Sequence, residues 1–307
     1  MKKNRFVFFA AAVFCTAAGM LGGLFDFFSP SVNADEELLL PPYRNVPVAA
    51  PTHAISASGA IVVNAGTGEV LYEKEADKKL YPASTTKILT ALVALEKLDE
   101  LGLDITCELV VPAEAQSVEG SSIYLKAGER ITMEELLYGL MLQSGNDSAV
   151  AIASCMGGSG TDGVSNFVGM MNTRAAELGC TGSHFMNPNG LFDEQHYVTA
   201  RDMAMIAAEA MKREDFRAIA GAGAWEGGTA GRKFVNKNKT ITQYEGATGV
   251  KIGFTKRSGR TLVASAKRGD TELIAVVLND GNWFNDAYSL LDYGFRLIEE
   301  RGGTDGV

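Results

Sequence analysis

Histidine and cysteine are both scarce in this chain of 307 residues, and their scarcity narrows its chemistry. The three histidines, His53, His184 and His196, form no His-Glu-x-x-His pattern, which argues against a zinc peptidase. Of the four cysteines, Cys15 lies in an apolar N-terminal run behind the bulky Phe14, a setting unsuited to lipidation. Cys107, Cys155 and Cys180 remain, an odd number at irregular spacing, and read as buried free thiols rather than as a disulfide framework or a zinc site. No Gly-x-Ser-x-Gly elbow occurs, so a Ser-His-Asp hydrolase is disfavoured. No run of Lys or Arg interrupts a net charge of −9, and attraction to nucleic acid phosphate is not expected. No bias toward disorder or collagen is present: 46% hydrophobic and 21% charged residues suit a globular protein with a sizeable core. No internal repeat is visible, and no motif calls for a cofactor or a metal.

What is present begins with the N-terminus. Lys2, Lys3 and Arg5 precede a stretch from Phe6 to Leu24 that carries no charge, and Val32-Asn33-Ala34 then stands just before Asp35-Glu36-Glu37. A basic end, an apolar run and a small-x-small site read as a secretory signal peptide over residues 1–34. The apolar run is also long enough to serve as an uncleaved anchor. Either reading places the rest outside the cytoplasm, with membrane association only if the leader is retained. Residues 35–55, with Pro41, Pro42, Pro47 and Pro51, read as an extended linker to one domain over 56–300, followed by a tail at 301–307.

Within the domain, Ser58–Val63 and Glu69–Glu73 flank Asn64-Ala65-Gly66-Thr67-Gly68, the pattern of a β-hairpin. Pro82 precedes a helical stretch from Ser84 to Leu98 with a broad apolar face. Residues 133–157 read as two helices parted by Ser144-Gly145-Asn146-Asp147, and Asn166–Leu178 and Thr199–Met211 as two more, the last capped by Thr199. Three β-like runs at 248–254, 260–267 and 271–279 lead into a C-terminal helix in which Phe284, Ala287, Tyr288, Leu291, Phe295 and Ile298 share a face. The reading is α+β: an antiparallel sheet of about five strands flanked by helices, with an adjoining mostly helical lobe and an active site where sheet edge meets lobe.

Three short segments carry chemistry. In Ser84-Thr85-Thr86-Lys87 the i, i+3 spacing on a helix brings the Lys87 amine to the Ser84 hydroxyl, a poor nucleophile that needs a base. The lysine must be neutral to act, and burial or a second cation would lower its pKa. A Ser-x-x-Lys is weak evidence alone, although no other serine here has a lysine three residues on. Ser144-Gly145-Asn146 places a hydroxyl for proton relay and a carboxamide for a peptide carbonyl in a helix–helix turn, where the same residues also serve as ordinary turn formers. Lys251-Ile252-Gly253 sits on a strand, where Gly253 permits close approach of another backbone, such as a bound peptide. Lys251 is either the second cation and an anchor for a carboxylate, or an edge-strand lysine that deters aggregation.

In this order the three segments resemble the Ser-x-x-Lys, Ser-x-Asn and Lys-Thr-Gly set of penicillin-binding proteins and class A β-lactamases. With Pro82-Ala83 before the first, Leu142-Gln143 before the second and Asn187-Pro188-Asn189-Gly190-Leu191 between, residues of about 55 to 300 resemble the low-molecular-mass penicillin-binding proteins that are D-alanyl-D-alanine carboxypeptidases. The resemblance implies the β-lactamase/transpeptidase-like fold, with 56–300 as the catalytic domain. It implies peptidoglycan stem peptides and β-lactams as partners, and no cofactor. It further implies Ser84 as nucleophile, Lys87 as general base and Ser144 as proton relay. Asn146 would hold the donor amide, Lys251 the carboxylate and hydroxyl, and the backbone N–H groups of Ser84 and Phe254 the oxyanion. Ile252 departs from the family, which usually has Thr there, and Thr255, on the same strand parity as Lys251 and Gly253, is the expected substitute ahead of Arg257 or Arg260. Many relatives add a small β domain and an amphipathic C-terminal anchor; neither is read before Val307, so attachment is expected through the leader alone. A β-lactamase is the nearest rival, but no Glu has an Asn four residues on, as the class A deacylating loop requires. A non-catalytic wall-binding relative is the other, favoured by Ile252 and opposed by the five remaining polar residues.

Overall fold

The computed structural model describes residues 51, 53–158, 162–228 and 230–302. The leader read over 1–34, nearly all of the linker and the tail after 302 lie outside them. The hairpin forms as β1 (Gly59–Asn64) and β2 (Val70–Lys74). Helix α1 (Lys87–Leu101) follows, and Gly102 closes it in the left-handed conformation (φ 64°) that a C-terminal glycine adopts without steric cost. Next come β3 (Glu108–Val110), β4 (Arg130–Thr132), α2 (Met133–Tyr138) and α3 (Asn146–Met156). A single π-helical turn, Gly139–Gln143, continues α2 toward α3. Helices α4 (Gly163–Glu177), α5 (Ala200–Met211) and α6 (Glu214–Gly221) complete the larger part of the lobe. A second small hairpin, β5 (Ala224–Gly227) with β6 (Arg232–Val235), and α7 (Thr240–Gln243) lead back to the sheet. Strands β7 (Ala247–Thr255), β8 (Gly259–Arg268) and β9 (Thr271–Leu278) then precede α8 (Trp283–Gly302).

The hairpin and the three late strands join in one five-stranded antiparallel sheet, ordered β2-β1-β9-β8-β7. The period of two along each strand divides the core into two layers. Ala60, Val62, Leu262, Ala264, Ala275 and Val277 pack with Ala287, Leu290, Leu291 and Phe295 of α8. Ile61, Val63, Val263, Ile274 and Val276 face the other way, into the core shared with α1 and α5. Helix α1 buries Ile88, Leu89, Leu92, Val93, Leu95 and Leu98, so it is packed nearly all round and cannot shift without disturbing the lobe. Strand β7 is an edge of the sheet, and its neighbour beyond the edge is the turn that precedes α1.

Two expectations need correction. Helix α1 does not begin at Ser84: Ala83–Thr86 form a 3₁₀ turn and the α-helix starts at Lys87. The hydroxyls of Thr85 and Thr86 donate to Pro82 O and Ala83 O, both at 2.8 Å, competing with the α-helical ladder for those carbonyls. The three cysteines of the domain are free, but only Cys180 is buried; Cys107 and Cys155 are partly exposed.

Candidate active site

The turn that carries Ser84 is pinned from three sides. Thr261 Oγ1, from β8, donates to Pro82 O at 2.9 Å. Gly253, on β7, lies so close that a Cβ there would stand 2.8 Å from Ser84 N and 2.5 Å from Thr261 Oγ1. The close approach expected at Gly253 is therefore made by the chain's own nucleophile turn. On the third side is the loop Asn187–Leu191, where Gly190 has φ 84° and a Cβ would stand 1.8 Å from Ala83 O. Only glycine fits at either position.

Lys87, one turn after Ser84, is fully buried. Its Nζ contacts Asn189 O at 2.6 Å, Asn146 Oδ1 at 2.7 Å and Ser84 Oγ at 3.0 Å. The two shorter contacts are to atoms that can only accept. A neutral amine has two N–H bonds, which these acceptors take, leaving the lone pair to face the Ser84 hydroxyl. Burial holds the Lys87 pKa well below that of an ordinary lysine; Lys251 and Lys237 push the same way, and Asp147 opposes. In its neutral form an amine so placed can take a proton from a hydroxyl.

Asn146 is fixed by its own second contact, Nδ2 donating to Glu119 O at 2.6 Å, which decides that Oδ1 faces Lys87. Asp147, beside it, ties down the loop that supplies Glu119. Its carboxylate accepts from Ser122 Oγ at 2.6 Å and from the backbone N–H of Ile123 and Leu125 at 3.0 and 3.1 Å. Ser144 adopts a left-handed φ of 63° between the π turn and α3, is nearly buried, and its hydroxyl has no hydrogen-bond partner among the described residues.

Lys251 is buried, and its Nζ donates to Ile252 O at 3.2 Å. Burial, with Lys237 nearby, pushes its pKa down to about 7. Ile252 packs on the α8 layer of the core and Phe254 is 62% exposed. Thr255 lies at the end of β7, where its Oγ1 donates to Ser258 Oγ and accepts from Ser258 N, each at 2.9 Å. The fold thus joins Ser84, Lys87 and Asn146 by hydrogen bonds and seats Gly253 on the Ser84 turn, whereas the Thr255 hydroxyl is engaged in the β7–β8 turn.

Lys237 was not singled out in sequence, and Asn189 only as part of the Asn187–Leu191 segment, without a role. Lys237 Nζ donates to Gln143 O at 2.8 Å, next to Ser144, and makes a third lysine in the electrostatics of the site. No spacing rule marks it. Asn189 acts through its backbone carbonyl, which leaves no trace in residue type; the one signal was the Asn-Pro-Asn-Gly turn chemistry around it.

A buried amine facing a serine hydroxyl, beside a carboxamide and a second lysine, can transfer an acyl group to the serine oxygen. Comparison with known proteins agrees. The family model for D-alanyl-D-alanine carboxypeptidases matches residues 45–282. D-alanyl-D-alanine carboxypeptidase DacF of Bacillus subtilis is 40% identical over 229 residues, 73% of this chain and 57% of that protein. A D-alanyl-D-alanine carboxypeptidase of Streptomyces sp. K15 is 36% identical over 259 residues, 79% of this chain and 88% of that protein. The crystal structure of the Streptomyces K15 DD-transpeptidase matches with a TM-score of 0.75 at 33% identity, covering 80% of this chain and 100% of that one. The chain accordingly spans little more than half the length of the Bacillus relative and most of the Streptomyces one.

Proposed function

This chain belongs to the D-alanyl-D-alanine carboxypeptidase family, and from that premise we propose that it removes the terminal D-Ala from peptidoglycan stem peptides through an acyl-enzyme on Ser84. The observation that carries the reading is the placement of Lys87 Nζ, buried and 3.0 Å from Ser84 Oγ. Ser84 Oγ attacks the carbonyl of the penultimate D-Ala as its proton passes to neutral Lys87. The tetrahedral oxyanion is held by the N–H groups of Ser84 and Phe254. Its collapse breaks the peptide C–N bond, and the proton travels from Lys87 through Ser144 to the departing amine of D-Ala. Water then adds to the ester, returning its proton to the Ser84 oxygen and freeing the shortened peptide.

Asn146 orients the donor amide, and Lys251 with Thr255 holds the terminal carboxylate. β-Lactams, which present a reactive amide and a carboxylate, acylate the same serine. The leader read at the N-terminus and the peptidoglycan substrate class both support action outside the cytoplasm.

The same acyl-enzyme also has an amine-acceptor fate. The likeness to a solved protein named a DD-transpeptidase supports it. Incubation of the purified protein with a peptide ending in D-Ala-D-Ala tests the proposal: free D-Ala is released, and Ser84→Ala abolishes the release. Binding of the peptide without release would instead favour a non-catalytic wall-binding protein.

A further inference from the structure

His196 takes no part in the reaction proposed above, yet it is 1% exposed and bonded at both ring nitrogens. Nδ1 accepts from Met186 N at 3.3 Å, so that nitrogen carries no proton and Nε2 carries the ring hydrogen. Nε2 lies 2.9 Å from Thr86 Oγ1, and Thr86 Oγ1 donates to Ala83 O at 2.8 Å. The direction of the chain is therefore fixed, from imidazole N–H to threonine hydroxyl to Ala83 carbonyl. Phe185 packs edge-on against the ring, with centroids 5.5 Å apart, and holds its plane. Burial pushes the His196 pKa down to about 4, so the ring stays neutral in the cell wall's ordinary pH range.

The carbonyl at the end of the chain matters because of the peptide to which it belongs. Ala83 C=O and Ser84 N–H are the two poles of one planar trans unit, and they point in opposite directions. Whatever holds the Ala83 oxygen inward aims the Ser84 N–H outward. The turn that carries this peptide is not a relaxed one: Ala83 has φ 50°, in the left-handed region that a residue with a Cβ avoids. Ser84 N is also the near neighbour of Gly253 on β7.

We propose that His196 and Thr86 are positioning residues that set the direction of the Ser84 N–H as an oxyanion donor. The inference rests on the acyl-enzyme reading and deepens it. A hydrogen bond aimed at the developing oxyanion is stronger in the transition state than in the ground state, so its misdirection slows acylation with little change in substrate affinity.

The test is the ester carbonyl stretch of the benzylpenicilloyl-enzyme, read by infrared difference spectroscopy beside the acylation rate and the melting temperature. Thr86→Val keeps the shape and deletes the relay, and His196→Ala deletes its origin. Thr86→Ser keeps the hydroxyl, and His196→Gln can still present an N–H. Thr86→Val and His196→Ala are expected to acylate about 10–100-fold more slowly, below the full loss of an oxyanion donor, and to shift the ester band to higher frequency. Thr86→Ser and His196→Gln are expected to return the band toward wild type. Slower acylation with an unmoved band in Thr86→Val and His196→Ala would show a merely structural role and overturn the inference alone. Failure of the wild-type protein to form any penicilloyl ester would overturn the acyl-enzyme reading and this inference with it.

Discussion

Gly253 and Ser84 are in backbone contact: a Cβ on Gly253 would stand 2.8 Å from Ser84 N. The edge strand and the nucleophile turn are thus positioned by each other, and the third motif contributes to the first before any substrate arrives. Gly253→Ala is expected to force the two apart. Overpacking of this kind costs about 1–3 kcal/mol of stability, and a displacement of about an ångström costs about 100-fold in rate. Denaturant unfolding and the rate of acylation by benzylpenicillin check both.

Lys87 has a carboxamide in contact, Asn146 Oδ1 at 2.7 Å from Nζ, and a carboxylate nearby, Asp147, that opposes the fall in its pKa. Asn146→Asp places a carboxylate 2.7 Å from Lys87 Nζ and favours its ammonium form. The acid limb of the acylation pH profile should then move up by about 1–3 units. Asp147 already raises the Lys87 pKa, so Asp147→Asn should move the same limb down. Loss of the charge-assisted bonds to Ser122, Ile123 and Leu125 should also cost about 2–3 kcal/mol in a melt. A pair of variants with shifts of the same sign would contradict this electrostatic account.

Lys251 gives a second pH dependence. Its pKa is about 7 in the fold against an ordinary 10.5, so between these values the unfolded chain binds a proton that the folded chain has released. Stability from this group therefore rises with pH from about 7 to about 10. The melting temperature of the wild type should gain on that of Lys251→Met across the window. In the same account kcat/KM for a D-Ala-D-Ala peptide declines above pH 7 as the ammonium is lost, and Lys251→Arg flattens that decline.

Thr255 is proposed to give its hydroxyl to the substrate carboxylate, which requires exchange of its present bond to Ser258. Thr255→Val should raise KM for the peptide more than it slows acylation by penicillin. An unchanged KM would remove Thr255 from the site.

Much of this architecture could be read in the residue pattern. The apolar runs of β1, β8 and β9 are nearly continuous because both faces of the sheet are covered by helices, so that side chains of both parities are buried. The Ser84–Lys87 pair was legible because i, i+3 neighbours meet in 3₁₀ and α turns alike. The β3–β4 hairpin was not. Each strand has three residues, too few for a period, and a long excursion through Gln116 to Gly128 separates them. The 3₁₀ start of the Ser84 turn was not legible, because Pro82 and the apolar face that follows it do not reveal that the Thr85 and Thr86 hydroxyls capture the preceding carbonyls. Asn189, His196 and Thr86 act through a backbone oxygen or through one another over as many as 110 positions, and no local spacing encodes such contacts.

The central claim is that Ser84, activated by Lys87, forms a covalent acyl-enzyme. Intact-mass spectrometry of the purified protein after incubation with benzylpenicillin tests it most directly. The account predicts one long-lived adduct, absent in Ser84→Ala and severely slowed in Lys87→Ala. An adduct that survives Ser84→Ala, or a wild-type protein that never acquires one, would contradict it.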